Sequence, residues 1–298
     1  MEVEVARSRG IKIFAKMGGK VSFFNSPYLA HFNHEAVDIY PPSSLAISPV
    51  EGKIKYIREF NAPKSKQFST SPKEYLVAIE TQATSEYLVR ILHVKPWVRQ
   101  GDEVEVGEPL GELIRSGYFD FWTDPHLHVE IRPSHDLLRA RGGIQLTYAK
   151  SEWKFCGAVS TSNFLGKIVS SKPEYVISNG PNASFGQFSG VPVLVGNKIG
   201  IMDGGVPHYG FGGVFSPDKI EIGDQVSLGE VKIGKVTEKF DDGWARFEAI
   251  PFSTSLENFR MKGISSYVGL GDSFRWKLIP NAIGCLKLPD EARVVFSE

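Results

Sequence analysis

The sequence predicts a mostly β protein of two domains, and three observations carry that reading. Turn residues punctuate the chain every 8 to 12 positions. The segments between them alternate in polarity or run β-branched, as in KIKYIREF, EYLVAIE, EYLVRILHV, HLHVEIR, GKIVSS and VPVLVGNKIGI, which is the pattern of half-buried strands. Amphipathic helical periodicity is scarce; SHDLLRAR at 134–141 is the best short candidate.

Length and composition set the bounds. The 298 residues suffice for one large domain or two ordinary ones, and the 42% hydrophobic and 23% charged content is that of a globular chain rather than a disordered one. The 34 basic residues cancel the 34 acidic ones, so net charge gives no reason to expect nucleic acid or an anionic membrane as the main partner. Uninterrupted apolar runs stay near five residues, as in YLVAI at 75–79, far short of the roughly 20 a membrane span needs. The start, MEVEVARSRGIKIF, has no apolar h-region, so the default expectation is a cytoplasmic protein. Two cysteines, Cys156 and Cys285, are too few for a disulfide scaffold and read as buried thiols, one disulfide between them staying open.

The halves differ. Residues 1–150 hold 10 glycines and residues 151–298 hold 20, together with 12 of the 20 phenylalanines. The second half is therefore expected to be a Gly-rich all-β domain with an aromatic core, joined to the first near 139–153. VRQGDEVEVGEPLGEL (98–113) and IEIGDQVSLGEVKIGKV (220–236) share a Gly-Asp-x-Val-x-x-Gly-Glu skeleton. They are followed by HLHVEIRP and WARFEAIP, with Glu130 and Pro133 matching Glu248 and Pro251. Either the second half is a degenerate repeat of the first, with Trp244 and Arg246 where the first has His126 and His128, or turn-rich segments resemble each other by chance.

Six of the seven histidines lie in the first 135 residues. On a strand, HLHVEIR puts His126, His128, Glu130 and Arg132 on one face and Leu127, Val129 and Ile131 on the other, so both imidazoles approach one small site. The competing reading is a solvated polar face. HEAVD places His34 and Asp38 four residues apart, an imidazole and a carboxylate that a turn can bring to one ion. His93 stands near the end of the strand YLVRILHV, where a packed, structural histidine is the commoner case. His31, three residues before His34, looks exposed and is left out; His135 and His208 read as structural.

Taken in order, HEAVD, SPVEGKI, a lone His before VKPWVRQGDEVEVGEPLGEL, and TDPHLHVE resemble the lysostaphin-type zinc metallopeptidases over roughly residues 14–135. That family shows HxGxD, PxxGxV, H…VxxGdxVxxGqxIG and GPHLHFE. The resemblance implies an N-terminal barrel or sandwich of the duplicated hybrid motif type. It assigns one Zn2+ per chain to His34, Asp38 and His128, and active-site roles to His93 and His126. Two positions depart from the pattern: Ala36 replaces the glycine of the first motif, and Asp124 replaces the glycine before PHLH, beside an aromatic stretch of Tyr118, Phe119, Phe121 and Trp122.

Two imidazoles and a carboxylate leave a fourth position on zinc for water, whose pKa the cation lowers towards about 7. No HExxH glutamate exists in the chain, so His93 and His126 are the expected proton-handling groups. Glu130 would orient an imidazole or make a cross-strand salt bridge. The expected activity is hydrolysis of peptide bonds, in cell-wall-like or Gly-containing peptides as the family implies. The alternative is a catalytically silent fold that binds zinc or peptide. The 98–113 segment also resembles the hairpin of biotinyl and lipoyl carrier domains, but no MK lysine stands at its tip.

Overall fold

The computed structural model describes residues 1–149 and 155–298, which are 54% strand and 1% helix. The expected boundary at 150/151 lies outside the described residues. Two compact units emerge, one of Met1–Val21 with Tyr28–Ala149, the other of Ser22–Pro27 with the C-terminal half. No helix among the described residues is long and apolar enough to cross a membrane.

In the first unit, strands Gly52–Asn61, Lys73–Thr81, Thr84–Leu92, Leu127–Pro133 and Ala36–Tyr40 are successive antiparallel neighbours. The period-2 segments of the sequence supply the first four, and the fifth starts within HEAVD. A smaller sheet joins Leu45–Ile47, Pro109–Leu113 and Val94–Pro96. Gly111 permits this pairing, because a Cβ there would stand 2.1 Å from the Lys95 carbonyl oxygen. The helix expected at 134–141 does not form. Arg132 donates to the Asp136 and Arg141 carbonyls and Arg90 to those of Leu137 and Arg139, so side chains satisfy acceptors a helix would satisfy with backbone. The one α-helix among the described residues is Leu29–Phe32.

In the second unit, Phe188–Val195, Lys198–Val206, Phe211–Phe215, Trp244–Ala249, Val231–Asp241 and Gln225–Leu228 pair in turn, and the last returns to the first. This is a closed six-stranded antiparallel barrel. A second ring of pairings runs through Asn163–Ser171, Val176–Ser178, Trp276–Pro280, Phe259–Ser266, Ser253–Leu256 and Glu291–Ser297. Closure removes the free edges at which strands aggregate. The aromatic surplus of this half fills its core, where Phe164, Phe247, Phe252, Phe274, Trp276 and Phe296 are buried together. Buried Asp203 accepts hydrogen bonds from the Ser22 hydroxyl (2.7 Å) and from the backbone amides of Phe23 and Phe24, fixing 22–27 within this unit.

The repeated segments build the same turn. Gly101 and Gly223 both have positive φ, as do Gly107 and Gly229. Asp102 and Asp224 each accept the backbone N–H three residues earlier, from Arg99 and Glu221. In the second copy Trp244 is a fully buried core residue, so the shared skeleton carries packing rather than chemistry there. Cys156 and Cys285 are free and exposed rather than buried.

Candidate functional site

The centre of the site is a strand register. Antiparallel pairing of Ala36–Tyr40 with Leu127–Pro133 sets His128 directly opposite Asp38, and the other neighbour of that strand sets Arg90 opposite Glu130. Cross-strand partners of this kind have Cβ atoms about 5 Å apart. His128 Nδ1 accordingly lies 2.9 Å from Asp38 Oδ1.

His31 completes the group. Its Nε2 is 3.2 Å from Asp38 Oδ1 and 3.3 Å from His128 Nδ1. The three atoms form a triangle with edges of 2.9, 3.2 and 3.3 Å. A tetrahedral zinc with bonds near 2.05 Å has ligand–ligand edges of about 3.3 Å, so the triangle has the size of one face of such a site.

His34, a ligand by the family resemblance, is not one of the three. The turn Leu29–Phe32 ends with His34 N–H bonded to the His31 carbonyl (3.1 Å) and Glu35 N–H to that of Ala30 (2.7 Å), the paired bonds of a Schellman C-cap. That cap demands a left-handed residue, and His34 takes φ of 47°. Its ring turns away and Nδ1 lies 3.2 Å from the Leu146 carbonyl. His31, read from sequence as exposed, is 1% exposed because the single helical turn presents Leu29 and Phe32 to solvent and Ala30 and His31 inward. The missed signal was seven-residue spacing from His31 to Asp38, long enough for one helical turn, a reversal and entry into a strand.

Glu130 both orients an imidazole and joins two ion pairs, one across strands with Arg90 and one along its own strand with Arg132. Oε1 lies 2.8 Å from His128 Nε2 and receives Arg90, while Oε2 receives Arg132 at 3.1 Å. Burial alone would raise its pKa, but His128 and Arg90 hold it down at about 2. Arg132 is 0% exposed, so this strand face is not the solvated face its polarity permits.

The same carboxylate fixes chemistry at His128. With Nε2–H donated to Glu130, the neutral ring leaves a lone pair on Nδ1, facing another lone pair on Asp38 Oδ1. Two acceptors at 2.9 Å need a positive charge between them, a proton or a metal ion. Without a metal the proton serves: against burial, Asp38 and Glu130 lift His128 to about 9. Asp38, whose burial would raise it, is held well below the ordinary range by His126, His31 and His128. The donor set of two imidazoles and a carboxylate fits a divalent cation such as zinc.

His126 and His93 stand beside this group. His126 Nδ1 lies 2.8 Å from the Asp124 carbonyl, directing Nε2 to within 3.3 Å of Asp38 Oδ2. Burial depresses it to about 4, so the ring is neutral at pH 7. His93 occupies the break between Thr84–Leu92 and Val94–Pro96 with φ of 69°, its ring centroid 5.2 Å from that of His126 and 6.0 Å from that of His128. Its Nδ1 lies 2.8 Å from Oε2 of buried Glu74. Glu74 escaped the sequence reading, although a carboxylate opening the apolar run YLVAI is an unusual placement. The Phe119 ring stacks on His126 at 4.6 Å and meets His93 edge-on at 4.7 Å.

Residues 12–148 match the N-terminal domain model, and residues 161–294 the C-terminal domain model, of a family described as a domain of unknown function (DUF8155). The chain thus carries both domains of that family in order. No curated protein and no solved structure matches it.

Proposed function

We propose that a chain with this two-domain organisation is a zinc-dependent metallopeptidase whose site lies in the first unit. The observation that carries the reading is the triangle of His31 Nε2, Asp38 Oδ1 and His128 Nδ1, three buried donors at the spacing of a tetrahedral face. Bound there, zinc would lower the pKa of a water and polarise a substrate carbonyl. The chain's own groups supply the rest. Glu130 holds His128 in the tautomer that presents Nδ1, and Asp38 brings the negative charge. Neutral His126, pinned through Nδ1 by the Asp124 carbonyl, and His93, pinned through Nδ1 by Glu74, are the two imidazoles available to handle the proton and to stabilise the oxyanion. Peptides, cell-wall-like or Gly-containing, are the substrate class that the motif order supports.

A second reading, a zinc- or peptide-binding module without turnover, is favoured by the aromatic cover. Phe119 lies over both proton-handling imidazoles, and its loop is tied down by the Tyr28 hydroxyl donating to the Tyr118 carbonyl at 2.8 Å. Zinc-loaded protein incubated with a quenched-fluorescent peptide library separates the two. The hydrolase reading expects about one zinc per chain and cleavage that His93→Ala and His126→Ala abolish without loss of zinc. Zinc without cleavage selects the binding module, and protein that takes up no zinc overturns both metal readings.

A further inference from the structure

Glu74 carries more hydrogen bonds than a structural carboxylate of a strand needs. It lies in Lys73–Thr81, 1% exposed, and four donors converge on it. Oε1 accepts the backbone N–H of His93 (2.9 Å) and of Tyr75 (3.0 Å). Oε2 accepts the Ser116 hydroxyl (2.5 Å) and His93 Nδ1 (2.8 Å). One side chain therefore grips His93 by both backbone and ring, at a residue whose left-handed φ of 69° interrupts two strands.

Resting on the metallopeptidase reading, we infer that Glu74 is the positioning residue that makes His93, rather than His126, the proton acceptor of the reaction. An ionised carboxylate only accepts, so the neutral His93 ring must carry its hydrogen on Nδ1 and its lone pair on Nε2. That Nε2 makes no hydrogen bond to any described residue. His126 is also held through Nδ1, but by the neutral Asp124 carbonyl. His93 has a full negative charge at Nδ1, behind the nitrogen that takes the proton, to stabilise the imidazolium formed on proton uptake, the same division of labour as a carboxylate behind a catalytic histidine, whereas the carboxylate nearest His126, Asp38, faces its Nε2 at 3.3 Å. In the step, a water O–H bond breaks as the N–H bond forms at His93 Nε2, and the oxygen electron pair attacks the peptide carbonyl carbon. The imidazolium then returns the proton to the leaving amide nitrogen as the C–N bond breaks, yielding a carboxylic acid and an amine.

Ring nitrogen shifts from 15N-histidine NMR, with kcat and KM on a substrate selected from the peptide library, test this in zinc-loaded protein. Wild-type His93 is expected to be protonated at Nδ1 and bare at Nε2. In Glu74→Gln the amide oxygen keeps the two backbone donors while the amide NH2 faces Nδ1, so the hydrogen moves to Nε2. The expected cost is about 10³-fold in kcat with KM and zinc content preserved. Glu74→Asp, which keeps the charge, is expected to restore the wild-type tautomer and part of kcat. A wild-type ring protonated at Nε2, or a folded Glu74→Gln with kcat within about threefold of wild type, overturns the assignment. Should Glu74→Gln not fold, the wild-type spectrum and Glu74→Asp decide. Wild-type protein without zinc or cleavage sinks the metallopeptidase reading and this role with it, whereas a failure confined to Glu74→Gln leaves that reading standing.

Discussion

Replacing His31 and His34 separately by alanine distinguishes the ligand set of the fold from that of the linear motif. Structural zinc sites of four ligands bind with about 10–16 kcal/mol, or roughly 2.5–4 kcal/mol per ligand. With about 1.4 kcal/mol for each factor of ten, His31→Ala should weaken zinc by about 10²- to 10³-fold. Its Nε2 sits 3.2 and 3.3 Å from the two remaining donors, which the strand register holds opposite each other. His34→Ala removes a ring whose Nδ1 lies 3.2 Å from the Leu146 carbonyl. Its effect on zinc should stay within the roughly tenfold of an outer contact, with about 1 kcal/mol lost in stability. Competition against a chromophoric chelator at fixed pH measures both affinities. The reverse ranking, with His34→Ala crippling and His31→Ala neutral, would refute the argument that the Schellman cap diverts His34 from the site.

The pH dependence of the metal-free chain follows from two histidines with opposite shifts. His128 is raised to about 9, so its contribution is complete below about pH 6.5 and disappears as pH rises through 9. His126 is depressed to about 4, so stability falls as pH drops from about 6.5 towards 4, and thermal melts in EDTA should peak near pH 6.5. Zinc displaces the proton of His128, so its affinity should rise with pH up to about 9, read by titration in buffers across that range. Glu130→Gln leaves buried Arg90 without its counter-charge and Arg132 with Asp136 alone, and should cost about 3–5 kcal/mol of stability by urea denaturation, besides about 10- to 100-fold in zinc affinity. Phe119→Ala uncovers His126 and His93 and should speed modification of His126 by diethyl pyrocarbonate, scored by mass spectrometry; an unchanged rate denies the ring its role as cover.

Much of the fold was legible because strands with one or both faces buried advertise a period of two. KIKYIREF, EYLVAIE and HLHVEIR fall within the strands Gly52–Asn61, Lys73–Thr81 and Leu127–Pro133, apart from the strand-preceding His126. The repeated Gly-Asp skeleton was legible for a similar reason, since positive φ at Gly101 and Gly223 is a demand the sequence must meet with glycine. The 134–141 segment misled because helical periodicity says nothing about Arg90 and Arg132, which arrive from elsewhere to take its carbonyls. Nor could the closure of a six-stranded barrel be read from strand segments alone, since it depends on the pairing of Phe188–Val195 with Gln225–Leu228 across 29 intervening positions.

At the site, the sequence revealed what strands deliver and concealed what turns deliver. Asp38 and His128 converge because register sets facing residues together, and register is written in alternation. His31 and His34 are distinguished only by which of two histidines three residues apart occupies the left-handed position that ends a single helical turn. Local spacing favours His34, because four residues to Asp38 suit an extended or gently turning chain. Backbone hydrogen bonding favours His31, because capping the turn consumes the conformation of the residue at position 34. Glu74 was hidden for another reason: its partners, His93 and Ser116, lie 19 and 42 residues away, and only the packed strands show that one carboxylate holds both. The chemistry proposed here therefore depends on two left-handed residues, His34 and His93, that place rings by backbone rather than by motif.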